Sequence, residues 1–65
     1  MNDTQQAIAD YLKTRPQGAC IERVAQRCFL SYTAAYVNLE ALAALGVLGK
    51  TFVKARAWYR FVREI

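Results

Sequence analysis

Polar and apolar positions alternate with helical spacing over most of the chain and with strand spacing near its end. Ile8, Tyr11 and Leu12 fall at i, i+3, i+4, one buried stripe of a first helix, with Thr4 or Asp3 as its cap. Arg15-Pro16-Gln17-Gly18 ends that helix, because the residue before proline avoids the helical region and glycine supplies a turn. Ala19-Cys20 fits a short extended segment. Ile21, Val24, Ala25 and Cys28 then repeat at i, i+3, i+4, i+7 and predict a second helix over residues 21–28, with Glu22, Arg23, Gln26 and Arg27 on its other face. Phe29-Leu30 make a tight link, and Ser31 is a good N-cap for a third helix. Ala35, Leu39 and Leu42 share one face of that helix, Tyr32 and Leu45 flank it, and Gly46 signals its stop.

From Val47-Leu48 onward the pattern is extended. The run AWYRFV changes period to two: Ala57, Tyr59 and Phe61 point one way, Trp58, Arg60 and Val62 the other. Its aromatic and β-branched content suits a strand. Thr51-Phe52-Val53 extends the preceding strand, which leaves Lys54-Ala55-Arg56 as a hairpin tip without the glycine or asparagine that tight turns prefer. Tyr11 and Tyr32 read as half-buried edges of the core, and Trp58 as hairpin packing rather than a stacking platform for bases. The expected class is mostly α with a small β-hairpin (α+β): three helices and a two- or three-stranded wing, the order of a winged helix-turn-helix.

Length bounds this to a single domain over residues 1–65, with a core at about 4–63. A domain this small buries only about 60% of its unfolded surface. An apolar fraction of 55% still permits a compact core, and no polar or low-complexity tract points to disorder. No run of apolar residues is long enough for a membrane span. MNDTQQAIAD lacks a basic region followed by an apolar one, so no signal peptide and a cytoplasmic location are expected. Cys20 and Cys28 read as small buried hydrophobes, since a disulfide is unfavoured in a reducing compartment and there is no histidine or CxxC pair for a metal. With no phosphate-binding loop and no nucleophile beside a base, neither an enzyme nor a cofactor is expected.

Charge changes the picture more than composition does. The net charge is +4, and all of that excess lies in residues 50–65, where Lys50, Lys54, Arg56, Arg60 and Arg63 face only Glu64. In residues 1–49 four cations balance four carboxylates. A basic segment attracts polyanions, nucleic acid foremost. Yet residues 31–49, the third helix and its exit, hold no Lys or Arg and a single charge, Glu40.

On IERVAQRCFLSYTAAYVNLEALAALGVL and the basic aromatic hairpin after it, the chain resembles the small winged-helix transcription regulators of bacteria and phage, in particular the FaeA/PapI-like regulators of fimbrial operons. Val24, Ala25, Leu30, Ser31, Ala35, Leu39 and the LGVL ending match the general helix-turn-helix pattern. The resemblance implies a regulator on double-stranded DNA working beside a larger regulatory protein. Self-association as a dimer is a further expectation from the residues, and no membrane partner is expected because no apolar run is long enough to span one. Phe29 departs from the pattern, which often has glycine or a small residue in the turn. Phenylalanine takes a left-handed backbone at a cost, so a reshaped turn is expected, and an exposed Phe29 is itself a candidate contact.

If the third helix enters a major groove, Tyr32, Thr33, Ala34, Tyr36 and Val37 are the candidates for base contact, through hydroxyls or against thymine methyls. Arg23, Gln26, Arg27, Ser31, Lys50, Lys54, Arg56 and Arg60 are the candidates for phosphate contact, with the helix N-terminus adding its own N–H groups. Arg56 at the tip would suit a minor groove. Glu40 would repel phosphate unless it accepts from a cytosine or lies beyond the backbone. The alternative from the same residues is a protein-interaction module. Ala34, Tyr36, Val37, Ala41 and Ala44 make a small, apolar and aromatic face that suits a protein partner, as a homodimer, adaptor or phage-type inhibitor.

Overall fold

The computed structural model describes residues 1–64. Helix α1 spans Asp3–Lys13. Its cap is Asn2, not Thr4 or Asp3: the Asn2 side chain accepts from the Gln5 N–H at 2.8 Å, and the Gln5 side chain accepts from the Asn2 N–H at 3.2 Å. Asn2 wins because its extended backbone and a Gln three residues on complete a reciprocal capping box, which Thr4, already inside the first turn, lacks. Asp3 in the first turn and Lys13 in the last complement the helix dipole. The chain then turns through Gly18, whose φ of +81° is left-handed.

Strand β1 is Ala19–Cys20. Helix α2 spans Ile21–Arg27, one residue shorter than expected, with Cys28 as its C-cap. The expected reshaping of the following turn does not occur. Phe29 takes the left-handed position itself, at φ 57°, and lets the Leu30 N–H donate to the Ala25 carbonyl at 2.8 Å. That is the long bond of a Schellman stop, and Leu30 packs back on the core. The motif's geometry prevails over a backbone cost of about 1–2 kcal/mol for a residue with a Cβ.

Helix α3 spans Tyr32–Ala44, and the Ser31 hydroxyl accepts from the Ala34 N–H at 3.1 Å. Gly46, at φ +82°, closes the helix, with the Val47 N–H donating to the Leu42 carbonyl at 3.1 Å. Strands β2 (Leu48–Val53) and β3 (Arg56–Phe61) form an antiparallel hairpin, and β1 adds to the far side of β3, giving the order β1-β3-β2. The turn is shorter than the sequence suggests. Val53 pairs with Arg56, so only Lys54 and Ala55 lie in it, at φ 53° and 66°. Two positive φ values mark the primed turn whose twist matches a two-residue hairpin.

The fold is thus three helices on a three-stranded antiparallel sheet, an α+β arrangement with which the winged-helix expectation is compatible. Ile8, Leu12, Val24, Leu39, Leu42, Val47 and Tyr59 are its largest fully buried side chains. One side of the hairpin carries Leu48, Lys50 and Phe52 across from Phe61, Tyr59 and Ala57 and faces the helices. The other side carries Thr51 across from Trp58 and Gly49 across from Arg60. Cys20 and Cys28 are half-buried rather than buried, and burial pushes the Cys28 thiol up. No helix among the described residues is long and apolar enough to cross a membrane.

Candidate nucleic-acid interface

Helix α3 buries Ala35, Leu39 and Leu42 and turns Thr33, Tyr36 and Val37 outward. Residues three and four apart share a face, so these three form one surface patch, with half-buried Ala34 at its edge. Tyr36 is 44% and Val37 56% exposed. Tyr32, expected at half burial, is 55% exposed. It stands one turn before Tyr36 on the same side of the helix, at the end where α3 starts. It lines a groove with Glu22 of α2 and with Phe52, Lys54 and Arg56 of the hairpin.

The α2 candidates come together. Arg23, Gln26 and Arg27 line one open concavity with Phe29, which is 94% exposed. The Arg27 guanidinium also lies 5.9 Å from the centre of the Tyr11 ring, which steadies it against α1. Among the described residues, Arg23, Arg27, Lys54 and Arg60 have no carboxylate partner. The Ser31 oxygen is used as a cap, and its O–H remains free to donate.

The hairpin cations do not act as one group. Lys50 donates to Glu40 at 2.8 Å and lies 5.5 Å and 5.6 Å from the ring centres of Phe52 and Tyr59. Arg56 stands 3.8 Å from Glu22. Arg60 is on the sheet face away from the helices, across from Gly49, and so is apart from the α3 patch. Lys54 alone of these projects at the tip beside the groove without a carboxylate. At the other end of the sheet, Lys13 of α1 binds Glu64 and sits 5.2 Å from the Phe61 ring centre; the Glu64 bond raises its pKa.

Glu40 is the organising residue that sequence reasoning left open. Besides Lys50, the Tyr59 hydroxyl donates to the same carboxylate oxygen. The Lys50 ammonium, then the Tyr59 hydroxyl, hold the Glu40 carboxyl below its usual range. The same bond raises Lys50, and burial followed by the bond to Glu40 pushes the Tyr59 phenol up to about 12. The carboxylate is therefore neutralised from within, and α3 presents no bare negative charge. Neither the Glu40 cluster nor the Glu22–Arg56 contact had a signal in the sequence, since each depends on how the hairpin packs on the helices.

Comparison with protein-family models, with curated proteins and with solved structures finds no match.

Proposed function

We propose that this chain is a small winged-helix DNA-binding regulator, with α2 and α3 as the helix-turn-helix and the β2–β3 hairpin as the wing. The observation that carries the reading is the setting of the α3 patch. The N-terminal half of α3 exposes Thr33, Tyr36 and Val37 and has no acid in its first turn. The elements before and after it in the chain carry cations without a carboxylate partner among the described residues: Arg23 and Arg27 of α2, which line one concavity, and Lys54 of the hairpin, which shares a groove with Tyr32. In this reading α3 enters the major groove, its N-terminus and the Ser31 hydroxyl meet phosphate, and these cations supply affinity. A regulator of this size works beside a larger protein or as a dimer.

One observation favours a second reading, in which α3 meets protein. Its outward side runs from Tyr36 and Val37 to Leu45, 53% exposed, and Phe52 nearby is 67% exposed. A salt titration of binding to random duplex DNA, with oligomeric state recorded in parallel, separates the two. Affinity that falls steeply with salt supports the regulator. No binding at low salt, with a dimer that Tyr36→Ala dissolves, overturns it in favour of the interface.

A further inference from the structure

We propose that α3 reads DNA through the C5-methyl groups of the major groove, so that thymine methyls define its target. This rests on the DNA-binding reading above. The usual base readers are bidentate: Arg or Lys on guanine, Asn or Gln on adenine, a carboxylate on cytosine. The structure removes each of them from α3. No Arg, Lys or Gln occurs in the helix. Asn38 lies off the outward patch, half-buried, and its amide donates to the Ala34 carbonyl at 2.8 Å. Glu40 is held by Lys50 and Tyr59, and Lys50 is held in return. What remains facing outward in the N-terminal half is the methyls of Thr33 and Val37, the Ala34 methyl at the edge, and the hydroxyls of Tyr32, Thr33 and Tyr36.

A hydroxyl both donates and accepts, so it discriminates weakly between base edges. Methyl against methyl is different. The major-groove edge of an A·T pair carries an apolar group that uracil and unmodified cytosine lack. Burying one such group is worth about 0.8 kcal/mol, or about fourfold in affinity. The chemistry recognised is the methyl at C5, so 5-methylcytosine presents the same group.

The test starts from duplexes selected out of a random library by the full chain. Each thymine of the selected sequence is replaced in turn by deoxyuridine, which deletes the methyl and keeps the hydrogen-bonding edge. Expected is a loss of about fourfold at the positions under α3. Val37→Ala should abolish the loss at one of those positions while the other positions keep theirs. At a thymine changed to cytosine, 5-methylation should restore part of the affinity. Selected duplexes that bind equally well with deoxyuridine throughout overturn the methyl reading and leave DNA binding standing. Binding without any sequence selected overturns it as well, and no binding at all overturns both.

Discussion

Lys50 of β2 donates to the Glu40 carboxylate of α3 at 2.8 Å, on the same oxygen that takes the Tyr59 hydroxyl from β3. One carboxylate on the helix thereby fixes both strands of the hairpin. Tyr59 is also fully buried in the core, so the hairpin is tied to α3 by packing and by this junction together.

The junction should show at alkaline pH. Tyr59 has its phenol raised to about 12 in the folded chain, against 10.0 for the ordinary group. A folded pKa above the unfolded one gives stability that is full below pH 10.0 and is lost as pH rises toward 12. Lys50, also raised, loses its share in the same direction. Tyr59→Phe should therefore cost about 1–2 kcal/mol at neutral pH, the low end for a bond to a charged group because Glu40 is half-buried. It should also flatten the alkaline limb of a melting-temperature profile. A limb unchanged by the substitution would detach Tyr59 from Glu40.

Three exposed positions, Phe29, Lys54 and Ala55, spend backbone energy without burial in return, and two of them are uncharged. Phe29 is left-handed and 94% exposed, and Ala55 is left-handed in the hairpin turn. Glycine occupies such conformations at little cost. Phe29→Gly and Ala55→Gly should each stabilise the fold by about 1 kcal/mol, a rise of roughly 4–8 °C in melting temperature for a chain of this size. Neither changes a charge. A Phe29→Gly protein that is more stable but weaker on its ligand would mark Phe29 as a contact held at the expense of stability.

Gly18 should behave in the opposite way. Its φ is +81°, and a Cβ built there would stand 2.2 Å from the Tyr59 carbonyl oxygen. Backbone lies opposite, so no rotamer change relieves the clash. Gly18→Ala should destabilise the domain by about 3 kcal/mol or more, combining the clash with left-handed strain. Loss of cooperative unfolding at room temperature is the expected readout, and a mild effect would show that β1 can shift on β3.

Local signals were legible and the junctions between elements were not. The buried stripe of α3, the Ser31 cap, the Gly46 stop and the alternation around Tyr59 all follow from spacing within a few residues. Asn2 is not distinguished from its neighbours by cap propensity alone, because a capping box needs both partners to be read together. The turn came out one residue too long because Lys54 and Ala55 carry no sign of positive φ. The candidate cations were identifiable by type alone. Which of them are free depends on Glu22 and Glu40, residues distant in sequence that meet Arg56 and Lys50 only when the hairpin docks.

That division between paired and free cations predicts graded effects on DNA. Lys54→Ala should weaken binding to every sequence alike and reduce the salt slope by about one unit. Arg56→Ala should do less, because Glu22 at 3.8 Å already shares its charge. Glu22→Gln should then strengthen non-specific binding. Slopes that do not move with any of the three would remove the hairpin tip from the interface.

Glu40→Gln brings stability and binding into one experiment. The substitution keeps the shape of the side chain and removes its charge. In the folded protein the Glu40 carboxyl titrates below its usual 4.5, held down by Lys50 and then Tyr59. A lowered folded pKa gives stability that is present above 4.5 and is lost as pH falls through the lower folded value. The wild-type protein should therefore melt above the variant at pH 7, and the gap should close on acidification through that window. On DNA the sign reverses. Lys50 loses its counter-charge, the α3 edge becomes more positive, and the salt slope should steepen by about 0.9 if one more phosphate is met. A steeper slope with lower stability would mean that the carboxylate holds Lys50 back from phosphate to keep the hairpin on the helix. A steeper slope without the stability change would separate those roles, and an unchanged slope would place Lys50 outside the DNA contact.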